Sequence, residues 1–539
     1  MQITGSQLII NSLIEEGVDK IFAYPGGYDK DIFDALYHEK DIELILPRHE
    51  QGLIHAAEGY ARSTGKVGVC LVTSGPGATN LVTGIADANY DGIPLVCFTG
   101  QVATSVIGND AFQEVDIVGI TRTISKYSTT IRKRDDLGRA IKEAFYIART
   151  GKPGPVIVDL PSNIVSEIGP SEYPETVNIR GYKPSTGVHI GQIKKALEML
   201  KNAKKPLFLI GGGVNISHAN EEFEKLINIT KVPVITTIMG KGAIPTKHPF
   251  FIGNVGMHGS YASISRNIVV NIPIVADAKA AINELIPLAQ ELDTKKWVNQ
   301  IKAWNKEYPV TAPSSVEGGI SPQAIFKNLN KAFTEGIFLT DVGQHQMWTT
   351  QFLEMNKNKQ LITSGGLGTM GFGLSAAIGA QLGNPDKRVV CIAGDGGVQM
   401  TIQELATAVQ LELPITLVII NNGFLGMVRQ MQQFFHDKNY SGTCLRKRKS
   451  CEGKCNFDGS NIPECCPPYT PDFIRLAESY GAYGIRVTDE DKLSDAFEEA
   501  KKNTDAPTII EILIDFKDVV LPMVQGGKAL DNMLLETNY

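Results

Sequence analysis

Short β-branched runs that end in turn residues recur along this chain, with helical stretches between them. IFAYPGG, GVCLVTSGPGATN, IPLVCFTG and PGPVIVDLP make a first block, separated by stretches such as EQGLIHAAEGYARSTG and LGRAIKEAFYIARTG. KPLFLIGGGVN and VPVITTIMGKG continue the rhythm in a second block. GIFLTDVGQHQ, RVVCIAGDGG, ITLVIINNG and PTIIEILID continue it in a third. That alternation predicts parallel sheets wrapped by helices. The expected fold is therefore α/β, with three doubly wound parallel-sheet domains over 1–170, 188–316 and 320–515, and a tail over 516–539. A polar linker bearing Pro and Gly, Ser171 to Gly187, separates the first two.

The turn Ala393–Met400, AGDGGVQM, poses a chemical problem. A dinucleotide turn needs G-x-G-x-x-G. Here the third glycine falls early, at Gly397, and position 399 is Gln. Asp395 would also face a phosphate directly, and two anions repel. A metal ion between them reverses the sign: Mg²⁺ takes a strand-end carboxylate on one side and substrate phosphates on the other. A second oxygen ligand should lie one βαβ step on, and Asn421 and Asn422 stand there. GDG alone is a common turn. GDG with NN at this spacing, both after apolar strands, is the signature of enzymes that use thiamine diphosphate. By that pattern Asp395, the Asn422 side chain and the Phe424 carbonyl hold Mg²⁺. Val342, Gly343, Gln344 and His345 meet the diphosphate, and Gly394, Gly396 and Gly397 offer backbone at a helix start, where anions are favoured. Glu50, in LILPRHEQG, follows an apolar run and opens a helix, so it can be buried and tuned. Standing alone, it would more simply be a favourable partner of the helix dipole.

YPGG, RHEQGLIHAAEGYARSTG, TSGPGATNLVTGIADA, TGQV, NDAFQEVDIVGITR, PGPVIVDLP, VGQHQMW, SGGLGTMGFGLSAAIGA, NNGFLGMV and VLPM lie in order along the chain. Together they resemble the large, catalytic subunit of acetohydroxyacid (acetolactate) synthase. The likeness covers the first and third blocks almost completely and the second in part. It implies a pyrimidine-binding first domain, an FAD-type middle domain and a diphosphate-binding third domain. The implied activity decarboxylates pyruvate on thiamine diphosphate and joins the two-carbon unit to a second pyruvate or to 2-oxobutyrate, towards valine, leucine and isoleucine. It also implies that Glu50 hydrogen-bonds the aminopyrimidine ring and that Gly27 and Gln113 stand beside the reacting centre. Phe112 then lines the substrate pocket. Gly368, Met370 and Met427 contact the cofactor, with Met370 under its bent form. His49 and His345 read as positioning groups. FAD would lie on Gly211, Gly212, Gly213, Thr236, Met257 and His258. In the family Glu50 and the GDG site of one centre come from different chains, so a homodimer or homotetramer is implied, and a small regulatory subunit is typical. Other readings are a different thiamine-diphosphate 2-oxoacid decarboxylase or oxidase, or a non-catalytic homologue that keeps the cofactor.

Four stretches depart from the family pattern. After GMHGSYASISRN the chain passes directly to IVVNIPIVADAKAAINEL, so the middle domain looks truncated and FAD binding stays an open question there. Met431 stands where a tryptophan usually favours 2-oxobutyrate, which shifts the expectation towards pyruvate as acceptor; methionine fills such space flexibly. Tyr28 and Asp29 replace apolar residues after the YPGG turn. Last, Cys444, Cys451, Cys455, Cys465 and Cys466 crowd one basic segment. Metal binding there competes with disulfides or a solvated loop, because the spacing matches no standard finger.

Net charge is −6, which argues against nucleic acid or an anionic membrane surface. No apolar run is long enough to span a bilayer, and the N-terminus lacks a signal peptide, so a cytoplasmic location is expected.

Overall fold

A computed structural model describes residues 2–185, 187–255, 269–446, 449, 471–525, 528 and 532–536. The chain divides into two compact units. The first holds residues 1–185, 366–386 and 401–411; the second holds 186–365, 387–400 and 412–539.

The first unit is built on six parallel strands: β1 (Lys20–Tyr24), β2 (Glu43–Ile45), β3 (Gly68–Val72), β4 (Leu95–Gln101), β5 (Tyr127–Thr130) and β6 (Pro155–Pro161). Their order across the sheet is β2-β1-β3-β4-β6-β5. Strands β3, β4 and β6 are buried along their whole length. That is why they read as unbroken apolar runs rather than alternating ones: helices cover both faces of a parallel sheet.

The second unit carries a small parallel sheet, β7 (Phe208–Ile210), β8 (Val234–Thr236) and β9 (Phe251–Asn254), with β8 central. Its larger sheet has β10 (Gly336–Thr340), β11 (Lys359–Thr363), β12 (Val389–Gly394), β13 (Thr416–Asn421), β14 (Tyr483–Val487) and β15 (Thr508–Leu513). Their order is β11-β10-β12-β13-β15-β14, the same winding as in the first unit. The α/β class and the shared rhythm of the outer blocks are therefore as expected. The short strands β5, β11 and β14 carry weaker sequence signals and were not foreseen. Residues 171–185 and 187–189 hold no helix or strand, as the linker composition predicts.

Two helices of the first unit explain its unusual glycines. Helix α1 (Glu50–Thr64) starts at His49, whose side chain accepts from the Gln51 N–H, and stops at Gly65 with φ +76°. Helix α2 (Phe372–Gly383) is buried nearly all round and rich in Gly and Ala. A Cβ at Gly59 would stand 1.9 Å from the Ala376 carbonyl oxygen, and one at Gly379 would stand 1.7 Å from that of Ala56. The helices meet backbone to backbone, a contact only glycine permits.

Beside that seam lies a buried ionic cluster. The Arg62 guanidinium donates to Glu58 at 3.1 Å, Asp87 at 3.1 Å and Asp91 at 2.9 Å, and lies 5.1 Å from the Phe372 ring centroid. His55 is 3.0 Å from Glu58. Asp91 and Asp87 then accept from the Gly366 N–H (2.8 Å) and the Thr369 hydroxyl (3.2 Å), fastening residues 366–386 to the first sheet's helices. His55, Glu58 and Asp87 bring ligand atoms within 4.8 Å of one another. Arg62 already supplies the positive charge that a metal would bring there.

Candidate functional site

Both six-stranded sheets reverse their winding direction beside the first strand, between β1 and β3 and between β10 and β12. Open α/β sheets bind ligands at the carboxyl ends of strands at such points. Gly27 lies at the first of these edges, and Val342–His345 and Asp395 lie at the second.

In the first unit, the turn after β1 carries Gly26 and Gly27. A Cβ at Gly26 would strike Thr73 at 2.4 Å, so the β1 and β3 turns are in contact. Gly27 faces open space, with no atom within 4 Å of a Cβ. Gln113 packs on Gly75 and holds φ +59°, a left-handed conformation that costs a side-chain-bearing residue energy. Tyr28 donates its hydroxyl to the Phe112 carbonyl at 2.9 Å, tying the Gln113 loop to the β1 turn. The Phe112 ring is 79% exposed. Glu50 is half-buried at the first turn of α1; its Oε2 accepts from the Asn80 side chain at 2.9 Å, and a Cβ at Gly77 would lie 3.6 Å from Oε1.

Asp29 is fully buried. Its Oδ1 accepts from the Gly26 N–H at 2.7 Å, while Oδ2 has no partner. Burial pushes its carboxyl up to about 6. A carboxyl held above its unfolded value binds its proton more tightly when folded, so its contribution to stability is lost as pH rises through about 6. Asp29→Asn is therefore expected to gain stability relative to the parent between pH 4 and pH 7, on the order of 2 kcal/mol at the upper end. Thermal unfolding of both proteins across that range measures it; a pH-independent difference would sink the assignment.

In the second unit, the register pairs Gly394 with Ile420, so Asp395 and Asn421–Asn422 leave the sheet at one edge. Asp395 is 2% exposed, and its Oδ2 has no hydrogen-bond partner. Burial pushes this carboxyl up to about 7. The helix it opens is one turn long, Asp395–Val398. A Cβ at Gly397 would lie 2.4 Å from Asp341 Oδ1 and one at Gly394 would lie 2.9 Å from His345 Nδ1, so the β10 and β12 turns interlock. His345 is buried, its Nε2 has no partner, and desolvation lowers its imidazole to about 4. Burial therefore favours the neutral imidazole at physiological pH.

The two asparagines divide their work. Asn421 donates to Glu511 at 2.7 Å and accepts from the Gly423 N–H, shaping the turn. Asn422 accepts from the Phe424 N–H at 2.9 Å and donates to Gln344 at 3.1 Å. Gln344 in turn donates to Gln430 at 2.9 Å and to the Asp518 carbonyl at 3.1 Å. Gln430 is held by the Val520 backbone, donating to its carbonyl and accepting from its N–H, both at 2.8 Å. Helices α3 (Gln344–Phe352) and α4 (Gly426–Phe435) and the chain after β15 are thus joined by one amide relay. Gly426 is where α4 approaches; its Cβ would stand 2.0 Å from Gln344 Oε1. Met427 and Met431, one turn apart on α4, are both half-buried.

A divalent ion fits this edge. A buried carboxylate oxygen without a partner needs positive charge, and Asn422 and the Phe424 carbonyl offer further oxygens on the same turn. Val342 and Gly343 lead into α3, Val342 N–H being held by Asp341 Oδ1 at 2.7 Å. Gly368 has φ +72°, and Met370 is half-buried, both in the first unit. At the small sheet, Gly211–Gly213 follow β7, and nothing lies within 4 Å of a Cβ at Gly213. Thr236 at the end of β8 donates to the Asn254 side chain at 2.7 Å. Met257 and His258 lie outside the described residues, as do Cys451, Cys455, Cys465 and Cys466. Cys444 is described, as a free thiol whose residue pairs with Phe424.

Some contributors were missed from sequence. The Glu404 carboxylate accepts from the Arg48 and His49 N–H groups at 2.9–3.0 Å and so fixes the entry to α1 just before Glu50. Gln430 and the Asp518 carbonyl meet this turn through Gln344. A glutamate in IQEL and a glutamine on an amphipathic helix carry no local signal of such partners. The one hint was polarity at positions where the helical period called for apolar residues.

Comparison with known proteins follows this geometry. The family described as "Thiamine pyrophosphate enzyme, N-terminal TPP binding domain" matches residues 3–120, the central domain 193–264 and the C-terminal TPP binding domain 341–512. Acetolactate synthase isozyme 3 large subunit of Escherichia coli strain K12 is 38% identical over 590 residues, covering 99% of this chain and 98% of that protein. The acetolactate synthase large subunit of Haemophilus influenzae is 38% identical over 587 residues, covering 99% and 98%. That of Cyanidium caldarium is 39% identical over 590 residues, covering 98% and 96%. These alignments are longer than the chain, so part of each relative has no counterpart here, in keeping with the short central-domain match.

Proposed function

This chain belongs to the acetolactate synthase large-subunit family of thiamine-pyrophosphate enzymes, and from that membership we propose that it condenses two 2-oxoacids after decarboxylating the first. Pyruvate is the donor, and pyruvate or 2-oxobutyrate the acceptor. Met431, in place of a bulkier indole, favours pyruvate. The observation that carries the reading is the partnerless, buried Asp395 oxygen at the switch point of the larger sheet.

When bound, thiamine diphosphate supplies the electron sink for decarboxylation and carbon–carbon bond formation. The chain's own groups bind and orient it. Asp395, Asn422 and the Phe424 carbonyl hold Mg²⁺. Gln344, oriented by Asn422 and Gln430, meets the diphosphate with Val342, Gly343, neutral His345 and the backbone of Gly394, Gly396 and Gly397. Glu50 holds a hydrogen bond to the pyrimidine ring, with Asn80 and Glu404 setting its position. Gly27 leaves room for the reacting carbons beside Gln113 and Phe112, and Gly368, Met370 and Met427 support the cofactor. FAD on Gly211–Gly213 and Thr236, a homodimer or homotetramer and a small regulatory subunit complete the proposal. No helix among the described residues is long and apolar enough to cross a membrane.

The test is acetolactate formation from pyruvate by protein stripped of cofactors, with thiamine diphosphate and Mg²⁺, with and without FAD. Glu50→Gln is expected to cut the rate by about 100-fold or more. Product only with FAD would assign the flavin to the shortened middle domain. Product without it would mark a flavin-independent member. Acetaldehyde or acetate in place of acetolactate would overturn the synthase reading.

A further inference from the structure

We propose that Tyr28 is a positioning residue for the second substrate. Its hydroxyl clamps the loop that carries Phe112 and Gln113 to the Gly27 turn, which favours the smaller 2-oxoacid as acceptor. The inference rests on the 2-oxoacid site proposed above.

The loop, residues 102–116, leaves the carboxyl end of β4 and is pinned at both ends. Thr104 N–H donates to Asn163 Oδ1 at 2.8 Å, and the Gln101 side chain donates to the Val115 carbonyl at 2.9 Å. Between these anchors the loop bonds to itself. The Glu114 carboxylate accepts from the Gly108 N–H and, at 2.9 Å, from the Ala111 N–H. Asn109 N–H donates to the Val106 carbonyl at 3.1 Å. Among the described residues, one hydrogen bond ties residues 105–114 to the body of the first unit: that from the Tyr28 hydroxyl to the Phe112 carbonyl. The Phe112 side chain is largely exposed and adds little anchorage of its own. An apolar residue at position 28, as in the family pattern, has no hydroxyl for this bond.

The clamp holds a strained place. Asp110 and Gln113, on either side of Phe112, have φ +53° and +59°. Residues with side chains keep such conformations only where their surroundings over-determine them. The other end of the clamp is firm. Asp29 holds the Gly26 N–H at 2.7 Å, and Tyr28 rests on β4, its Cβ 3.3 Å from where a Cβ at Gly100 would stand. Contacts run on from Gln113 to Glu50. A Cβ at Gly75 would stand 2.9 Å from the Gln113 carbonyl oxygen, and Gly75 leads into Pro76–Asn80, whose Asn80 donates to Glu50 at 2.9 Å. The space beside this clamp is that at Gly27, where no atom lies within 4 Å of a Cβ. A pocket wall pinned at its tip resists an added methylene, and one methylene separates 2-oxobutyrate from pyruvate. A wall freed of its clamp gives way at lower cost.

Full-length parent, Tyr28→Phe and Tyr28→Ala test this in two stages. The first is hydrogen–deuterium exchange of peptides spanning residues 105–114, without cofactors. Tyr28→Phe is expected to speed exchange there about three- to tenfold, with peptides of α1 unchanged. Tyr28→Ala should match it, because the hydroxyl is what both lose. The second stage supplies thiamine diphosphate and Mg²⁺ and lets pyruvate and 2-oxobutyrate compete as acceptors. Both variants should shift product towards the 2-oxobutyrate adduct by about threefold, with kcat on pyruvate alone held within about twofold. Unchanged exchange in Tyr28→Phe, or a change in Tyr28→Ala alone, would overturn the clamp. Faster exchange across the whole first unit would mean a loosened fold and would overturn it too. Faster loop exchange with an unchanged acceptor ratio would leave a structural tie and end the substrate role. A parent that makes no acetolactate would sink the proposed function and the acceptor claim with it. A parent that makes it, with variants that behave alike, would keep that function and remove Tyr28 from it.

Discussion

Arg62→Met is expected to destabilise the protein by about 3–5 kcal/mol, the usual cost of removing one partner from a buried ionic cluster. Apparent melting should fall by on the order of 10 °C. Methionine keeps much of the volume and the contact with Phe372, so the loss isolates the charge. Glu58, Asp87 and Asp91 would be left buried without their common cation. Burial pushes the Glu58 carboxyl up to about 7 even with Arg62 beside it, and raises Asp87 well above the carboxylate range. Both groups therefore bind protons more tightly in the folded protein, and what they contribute is lost as pH rises through about 7. Without Arg62 that loss grows, so the deficit of the variant should be larger at pH 8 than at pH 5. A deficit that does not change with pH would show that the guanidinium matters for packing rather than charge.

Asp395→Ala should move binding and stability in opposite directions. Thiamine diphosphate binding at millimolar Mg²⁺ is expected to weaken by at least about 100-fold, with loss of acetolactate formation to match. The cofactor-free protein is expected to gain roughly 1–3 kcal/mol, because a buried carboxylate oxygen without a partner is removed. Functional sites commonly hold such unfavourable groups in readiness for their ligand. Melting curves with and without the cofactor and Mg²⁺ measure both effects. The parent should be stabilised by the pair and the variant should not. A variant that is less stable than the parent in the absence of cofactor would show that Asp395 is a structural residue of the turn.

Much of this architecture was legible in the chain itself. Runs such as VVCIA and LVII are apolar without alternation because both faces of a parallel sheet are buried, so their identity as central strands is a local property. The GDG and NN turns were legible for the same reason: each is a short motif at a strand end. Edge strands were harder. Tyr127–Thr130 and Tyr483–Val487 are only partly buried, and their composition resembles that of loops.

By itself the sequence determined the α/β class, the placement of Glu50 and Asp395 at strand-end turns, and the order of the ligand-bearing segments, because strand, turn and helix propensities act over a few residues. Only the tertiary structure decided which of those groups are left without partners and which are held. The Asp395 oxygen stands alone while the neighbouring Asn422 is engaged through Gln344 and Gln430. Glu404 reaches the start of α1 from more than 350 residues away, and Arg62 gathers carboxylates from two helices. Such pairings join residues that share no local pattern. They arise only when packing has removed water and each buried polar group must find its partner within the protein.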